Sequence, residues 1–362
     1  MTNAASHSFL NRLAYAMLWA FVFTLPLAGV TEIPGAALIT KVTAILAMAS
    51  GCLAVITDRE IRMPGAIFGV LAAFAVCGSA GFFRSLAPAA ALEQSMVHFQ
   101  PFILALLAWQ FCREEKRVLQ LLEALVLGSM LPSLLTIKAF LPGQTALLQR
   151  AAAPDFNPSQ FAFLLAFSLP ISIYLALRQK GVRLMLYGTN VAISLSAILL
   201  TGSIAVIGAA LAGVLIAFFS MAPLPLYRRV GAAILLFVLC CVIGACLPPG
   251  FLDHAIAPIT VAMSFSNLAQ SGIPGFCCFI ALLGLSLFTA ERMYGATRSL
   301  WFAILTVWLL GACTLSWTSS EPVWLLFALL AAHSASEKQL GVTEAERDAR
   351  RQVYVEAGSE AW

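Results

Sequence analysis

Charge is scarce in this 362-residue chain. Asp, Glu, Lys and Arg together make up 10% of it, and there are only four histidines. Soluble proteins carry roughly 25% charged residues. Hydrophobic residues reach 61%, against about 45–50% in ordinary soluble chains. Mean hydropathy is +0.92. One soluble fold cannot hide that much apolar surface. The balance excludes a cytosolic globular enzyme, a disordered chain and a nucleic-acid binder. The nine cysteines contain no C-x-x-C and have no histidine beside them. Neither a disulfide framework nor a metal site is implied, and small apolar packing residues explain them. No G-x-x-x-x-G-K-[ST] loop occurs, so no nucleotide is bound by that route. Inverted repeats of interrupted helices, the mark of many transporters, are also missing.

What the chain does have is long apolar runs. A membrane helix needs about 20 such residues, and backbone in lipid must satisfy its own hydrogen bonds. A β-barrel would show short alternating strands instead. The runs predict an all-α polytopic membrane protein with about twelve transmembrane helices, near 13–30, 37–57, 64–83, 97–112, 118–141, 159–177, 183–201, 203–221, 230–247, 273–290, 299–316 and 322–335. Pro26, Pro132 and Pro170 fall within the first, fifth and sixth of them. The transmembrane unit is 1–335. A charged tail, 336–362, follows it.

Orientation comes from the basic residues. With the N-terminus in the cytoplasm, seventeen of the 21 Lys and Arg fall in cytoplasmic segments. The other four are Lys41, Arg84, Lys138 and Arg150. Twelve spans with both N and C termini cytoplasmic is the arrangement this alternation predicts. The first helix lacks a clean A-x-A site, so it is not expected to be a cleaved signal peptide.

The outer face then holds few groups with chemistry. Lys41 sits near the outer end of the second helix. Arg84 and Glu93 share a loop with His98 close behind. Arg150 and Asp155 share another. Asp253 and His254 lie in the longest outer loop, 247–272, and Glu321 precedes the last helix. Arg and Lys can hold a pyrophosphate without a metal. A histidine or carboxylate can take a proton from an acceptor hydroxyl. Solvated outer charges and snorkelling lysines are the plainer explanation of the same residues.

Three ordered segments carry a likeness. The first runs Arg150-Ala-Ala-Ala-Pro-Asp155-Phe-Asn157-Pro, followed by an apolar helix with Leu169-Pro170. The second is Leu199-Leu200-Thr201-Gly202-Ser203. The third is Ser271-Gly272-Ile273-Pro274-Gly275-Phe276. With Leu25-Pro26-Leu27 and Lys41 before them, they resemble the O-antigen ligase and O-antigen polymerase superfamily across about residues 13–335. The resemblance implies a metal-independent glycosyltransferase of the bacterial inner membrane, with no cofactor. Its partners would be an undecaprenyl-pyrophosphate-linked glycan, membrane lipid and other polysaccharide-assembly proteins, and no nucleic acid.

On that likeness Lys41, Arg84 and Arg150 are the candidate pyrophosphate ligands. His254 and His98 are the candidate bases. Asp155, Asn157, Gly202, Ser203 and Gly272 are structural motif positions. The chain departs from the pattern in three places. Ile204-Ala205 stands where the family has Arg-Gly, and Val261-Ala262 where it has His-Asn. The long outer loop is shorter than usual. Three readings stay open: a rebuilt transfer site, a degenerate scaffold or binding partner in the same pathway, and a lipid-linked glycan transporter.

Overall fold

The computed structural model describes residues 2–29, 35–58, 61–79, 88–139, 158–221, 266–312 and 321–339. Every regular element among them is helical. In chain order these are α1 Thr2–Thr24, α2 Ala36–Asp58, α3 Ala66–Ser79, α4 Pro88–Phe111, α5 Glu115–Ala139, α6 Pro158–Leu177, α7 Val182–Leu200, α8 Ile204–Met221, α9 Ser266–Glu291, α10 Gly295–Ala312 and α11 Glu321–Gln339. Seven helices, α1, α2, α5, α6, α7, α9 and α10, contain stretches long and apolar enough to cross a membrane. The protein is therefore all-helical and multi-pass. Helices stand at eleven of the twelve sites read from the sequence. The remaining site, 230–247, lies outside the described residues.

Several boundaries differ from the sequence reading: α1 begins at Thr2 rather than 13, and α11 runs to Gln339, past the expected start of the tail at 336. Three others involve proline. α1 stops at Thr24, and Leu25–Gly29 continues as a tighter 3-10 turn. Pro26 has no N–H for an α-helical bond, so the chain changes helix type there. α4 begins at Pro88, well before residue 97. Proline suits a first helical turn, where its missing N–H costs nothing. α9 begins at Ser266, so Ser271 and Gly272 lie inside the helix rather than in the loop that the sequence reading ran to 272. Pro274 is then an interior proline, which membrane helices tolerate.

Contacts sort the helix ends into two groups. At the basic end, Tyr15 Oη of α1 lies 2.9 Å from Gln120 Oε1 and 3.0 Å from Arg117 O. Arg178, just past α6, reaches Glu115 at the start of α5. Ser299 of α10 reaches Ser220 O near the end of α8. Arg62 closes the α2–α3 connection there. Its guanidinium lies 3.8 Å over the Trp109 ring, and its Nη1 donates to the carbonyls of Trp109 and Cys112. At the far end, Thr40 Oγ1 donates to Thr24 O, joining α2 to α1, and Gln100 of α4 meets Glu321 of α11.

Lipid removes the hydrophobic drive between helices, so shape and hydrogen bonds hold such a bundle. α6 sits at its centre, against α5, α7, α8 and α10. Its crossing stretch is 78% buried, against 22% for Pro274–Glu291 of α9. Helices apolar on every side suit such a position. Small residues allow the closest approaches. A Cβ on Gly128 would come within 2.0 Å of Phe23 O, so α5 and α1 touch backbone to backbone.

A polar seam links α5, α6 and α7. Asn190 Nδ2 donates to Ser172 Oγ at 2.8 Å. Its Oδ1 faces Ser194 Oγ at 3.3 Å and Ser129 Oγ at 3.4 Å. Ser133 and Ser194 lie 3.2 Å apart. All five side chains are fully buried.

Candidate functional site

The α7–α8 turn is Thr201-Gly202-Ser203. Gly202 has φ +69°, and its N–H returns to Leu199 O at 3.2 Å. That left-handed geometry ends a helix and favours a residue without Cβ. Ser203 O then accepts from Ile207 N and starts α8. The two motif positions Gly202 and Ser203 thus form the turn at the far end of the bundle.

Of the candidate ligands and bases, Lys41 and His98 fall within the described residues. Arg84, Arg150, His254, Asp155 and Asn157 lie outside them. Lys41 stands in the second turn of α2 and is exposed. His98 is only 4% exposed. Its ring lies 6.2 Å from the Phe74 ring of α3, and a Cβ on Gly78 would come within 2.7 Å of its Nε2. The glycine makes room for the imidazole, which fills the α3–α4 interface rather than an open surface.

A different group stands at this end of the bundle. Glu321, in the first turn of α11, is half-buried. Its Oε1 accepts from Gln100 Nε2 at 3.2 Å. Burial raises its carboxyl above the ordinary range, and the nearby Lys41 ammonium draws it part of the way back. Three helices, α2, α4 and α11, therefore bring an ammonium, an amide and a carboxylate of raised proton affinity to one end. A carboxylate so placed can accept a proton from a hydroxyl. A lysine can hold phosphate oxygens as a point charge.

Sequence reasoning placed Glu321 on the outer face but did not choose it as the base. Gln100 carried no signal, because neutral amides are common and its partner is far away in the chain. Among the described residues, no group of three His, Cys, Asp or Glu is placed to hold a metal ion.

Compared with protein-family models, curated proteins and solved structures, the chain matches none.

Proposed function

We propose that this is a twelve-span protein of the bacterial inner membrane, with both termini in the cytoplasm. It acts on a saccharide carried by undecaprenyl pyrophosphate during surface-polysaccharide assembly. The observation that carries the reading is the Gln100–Glu321 hydrogen bond, with the Lys41 ammonium in electrostatic reach of the carboxyl, at the end where the resemblance expects its working face. The gathering of Arg62, Arg113, Arg117, Arg178, Arg292 and Arg298 at the opposite end supports the orientation.

In this reading Lys41 holds pyrophosphate oxygens, with Arg84 and Arg150 as further ligands. Glu321 takes the proton of an acceptor hydroxyl as its oxygen bonds the anomeric carbon. The bond from that carbon to the pyrophosphate breaks, and the polyprenyl pyrophosphate leaves with the electron pair. His254 is the alternative base, on a segment outside the described residues.

A second reading, a scaffold that holds the lipid-linked glycan for another enzyme, is favoured by Ile204 and by the enclosure of His98. Ile204 stands where the family places an arginine. Losing such a donor costs about 2.7–4 kcal/mol in a transition state.

One experiment separates the two. Purified protein in nanodiscs is given a lipid-linked oligosaccharide, and binding and release of polyprenyl pyrophosphate are followed. Transfer predicts release, falling by about 10²–10⁴ in Glu321→Gln. It also predicts weaker binding in Lys41→Ala. Binding without release establishes the scaffold. A chain that neither binds nor releases the lipid refutes both.

A further inference from the structure

The Gln100–Glu321 pair has hydrogen-bonding capacity left over, and its chemistry decides what that capacity can hold. Gln100 of α4 donates from Nε2 to Glu321 Oε1 of α11 at 3.2 Å. An ionised carboxylate accepts and never donates. The amide nitrogen therefore faces Glu321, and the other arm of the planar amide carries the oxygen.

A glutamine amide has two hydrogens and two lone pairs, and a carboxylate has about four lone-pair sites. Among the described residues, this is the one hydrogen bond that either side chain makes. It uses one hydrogen and one lone pair. What remains is chiefly acceptor: Gln100 Oε1 and Glu321 Oε2. Both side chains are only half-buried, so a ligand can reach them. Beneath them the bundle is closed. Trp324, one turn along α11 from Glu321, is fully buried, and the Phe74 and Phe102 rings lie 5.9 and 6.4 Å from its own. A ligand must come from the end of the bundle, not through it.

Three kinds of ligand bring donors. A cation meets a carboxylate already within reach of the Lys41 charge. A single hydroxyl fills one acceptor and leaves the other bare. Two hydroxyls on neighbouring ring carbons supply two neutral donors, held at a fixed spacing, for two adjacent acceptors.

We propose that Gln100 and Glu321 together bind a vicinal diol of a sugar, one hydroxyl on each residue, and that Gln100 selects for it. The inference rests on the reading of this end as the saccharide-handling face. In transfer, the hydroxyl on Glu321 Oε2 gives up its proton and attacks. Its neighbour donates to Gln100 Oε1 and is unchanged. That second bond fixes which ring oxygen faces the base, so Gln100 sets the position of the new linkage. In a scaffold, the same two bonds hold the glycan and nothing is made or broken.

The test uses the full chain in nanodiscs and two probes. One is an undecaprenyl-pyrophosphate-linked oligosaccharide. The other is the same lipid after mild periodate cleavage and borohydride reduction, which opens its vicinal diols and keeps the pyrophosphate. Equilibrium binding of both is measured for wild type and Gln100→Met, together with release of polyprenyl pyrophosphate. Wild type should prefer the intact lipid by about tenfold or more, because a site built to bond hydroxyls rejects a ligand that lacks them. Gln100→Met should weaken the intact lipid about three- to tenfold and leave the oxidised one unchanged. A residue that merely ties α4 to α11 would weaken both alike, and that result overturns the proposal. So does a wild type that binds the two lipids equally, even if it releases polyprenyl pyrophosphate and so upholds transfer. The preference without release supports the diol site and refutes transfer alone. A chain that binds neither lipid refutes both. If Gln100→Met does not fold, Gln100→Asn replaces it: its amide oxygen falls one carbon short, and the preference should shrink in the same way.

Discussion

Replacing Gly128 with alanine adds one methyl group at the tightest backbone contact between α1 and α5. The new Cβ would meet Phe23 O at 2.0 Å and Phe23 C at 2.9 Å. A carbon–oxygen contact needs about 3.3 Å, so the two helices would have to part by roughly 1.3 Å. No side chain can rotate away, because the opposing atoms are backbone. Nor can α1 slide freely. Tyr15 Oη is held at Gln120 and Arg117, and Trp19 Nε1 donates to Gln120 O at 3.1 Å. Overpacking of this kind costs about 1–3 kcal/mol, and rigid partners put this site at the upper end. Alanine recovers up to about 1 kcal/mol of helix propensity relative to glycine. The expected net loss is about 2 kcal/mol. Gly208 of α8 is the control, because a Cβ there meets nothing within 4 Å. Thermal unfolding in nanodiscs should show Gly128→Ala well below wild type and Gly208→Ala at or slightly above it. A Gly128→Ala protein as stable as wild type would refute the close crossing of α1 and α5.

Other expectations follow from the same structure. Asn190→Ala removes a donor to Ser172 and an acceptor facing Ser129 and Ser194. Interhelical hydrogen bonds in bilayers average about 0.6 kcal/mol, so a loss of about 1–2 kcal/mol is expected in thermal unfolding. An unchanged midpoint would mean the seam carries no net stability. Arg62→Lys loses the flat stacking on Trp109 and the paired carbonyl contacts, worth about 1 kcal/mol. Amide exchange over 61–65 should rise while global unfolding barely moves. Near the end of α11, burial makes the folded Glu337 carboxyl hold its proton more tightly than the unfolded one does. Its contribution is therefore full below the ordinary carboxylate range and disappears as pH rises through about 7. After allowance for solvent screening this amounts to about 1–2 kcal/mol. Stability should fall across that window and level off above it, and Glu337→Gln should flatten the profile.

Much of the architecture was readable from composition and run length. Spans such as 159–177 and 183–201 fall almost on α6 and α7, because long apolar runs admit little but helix. The Thr201-Gly202-Ser203 turn was readable too, since glycine between two such runs marks a left-handed helix end. Boundaries set by proline were read less well. Pro26 changed the helix type, whereas Pro88 opened α4 and Pro274 was absorbed into α9. A proline forbids one hydrogen bond, and the surroundings decide how the chain responds.

The facing of each helix was not readable. In water a polar stripe marks the outside, but lipid and core are equally apolar, so α6 and α9 read alike. Packing alone made α6 central and left α9 mostly outside. The same limit hid the groupings at both ends. Nothing local shows that Gln100 meets Glu321 with Lys41 in electrostatic reach, or that Glu115 faces His333. Each group depends on residues more than two hundred positions apart, joined only when helix ends are sorted in space. His98 makes the point in reverse. Sequence offered it as a base, and the helix crossing beside Gly78 enclosed it. Apolar run length is a local property and survives in the sequence; proximity between charges belongs to the packed bundle.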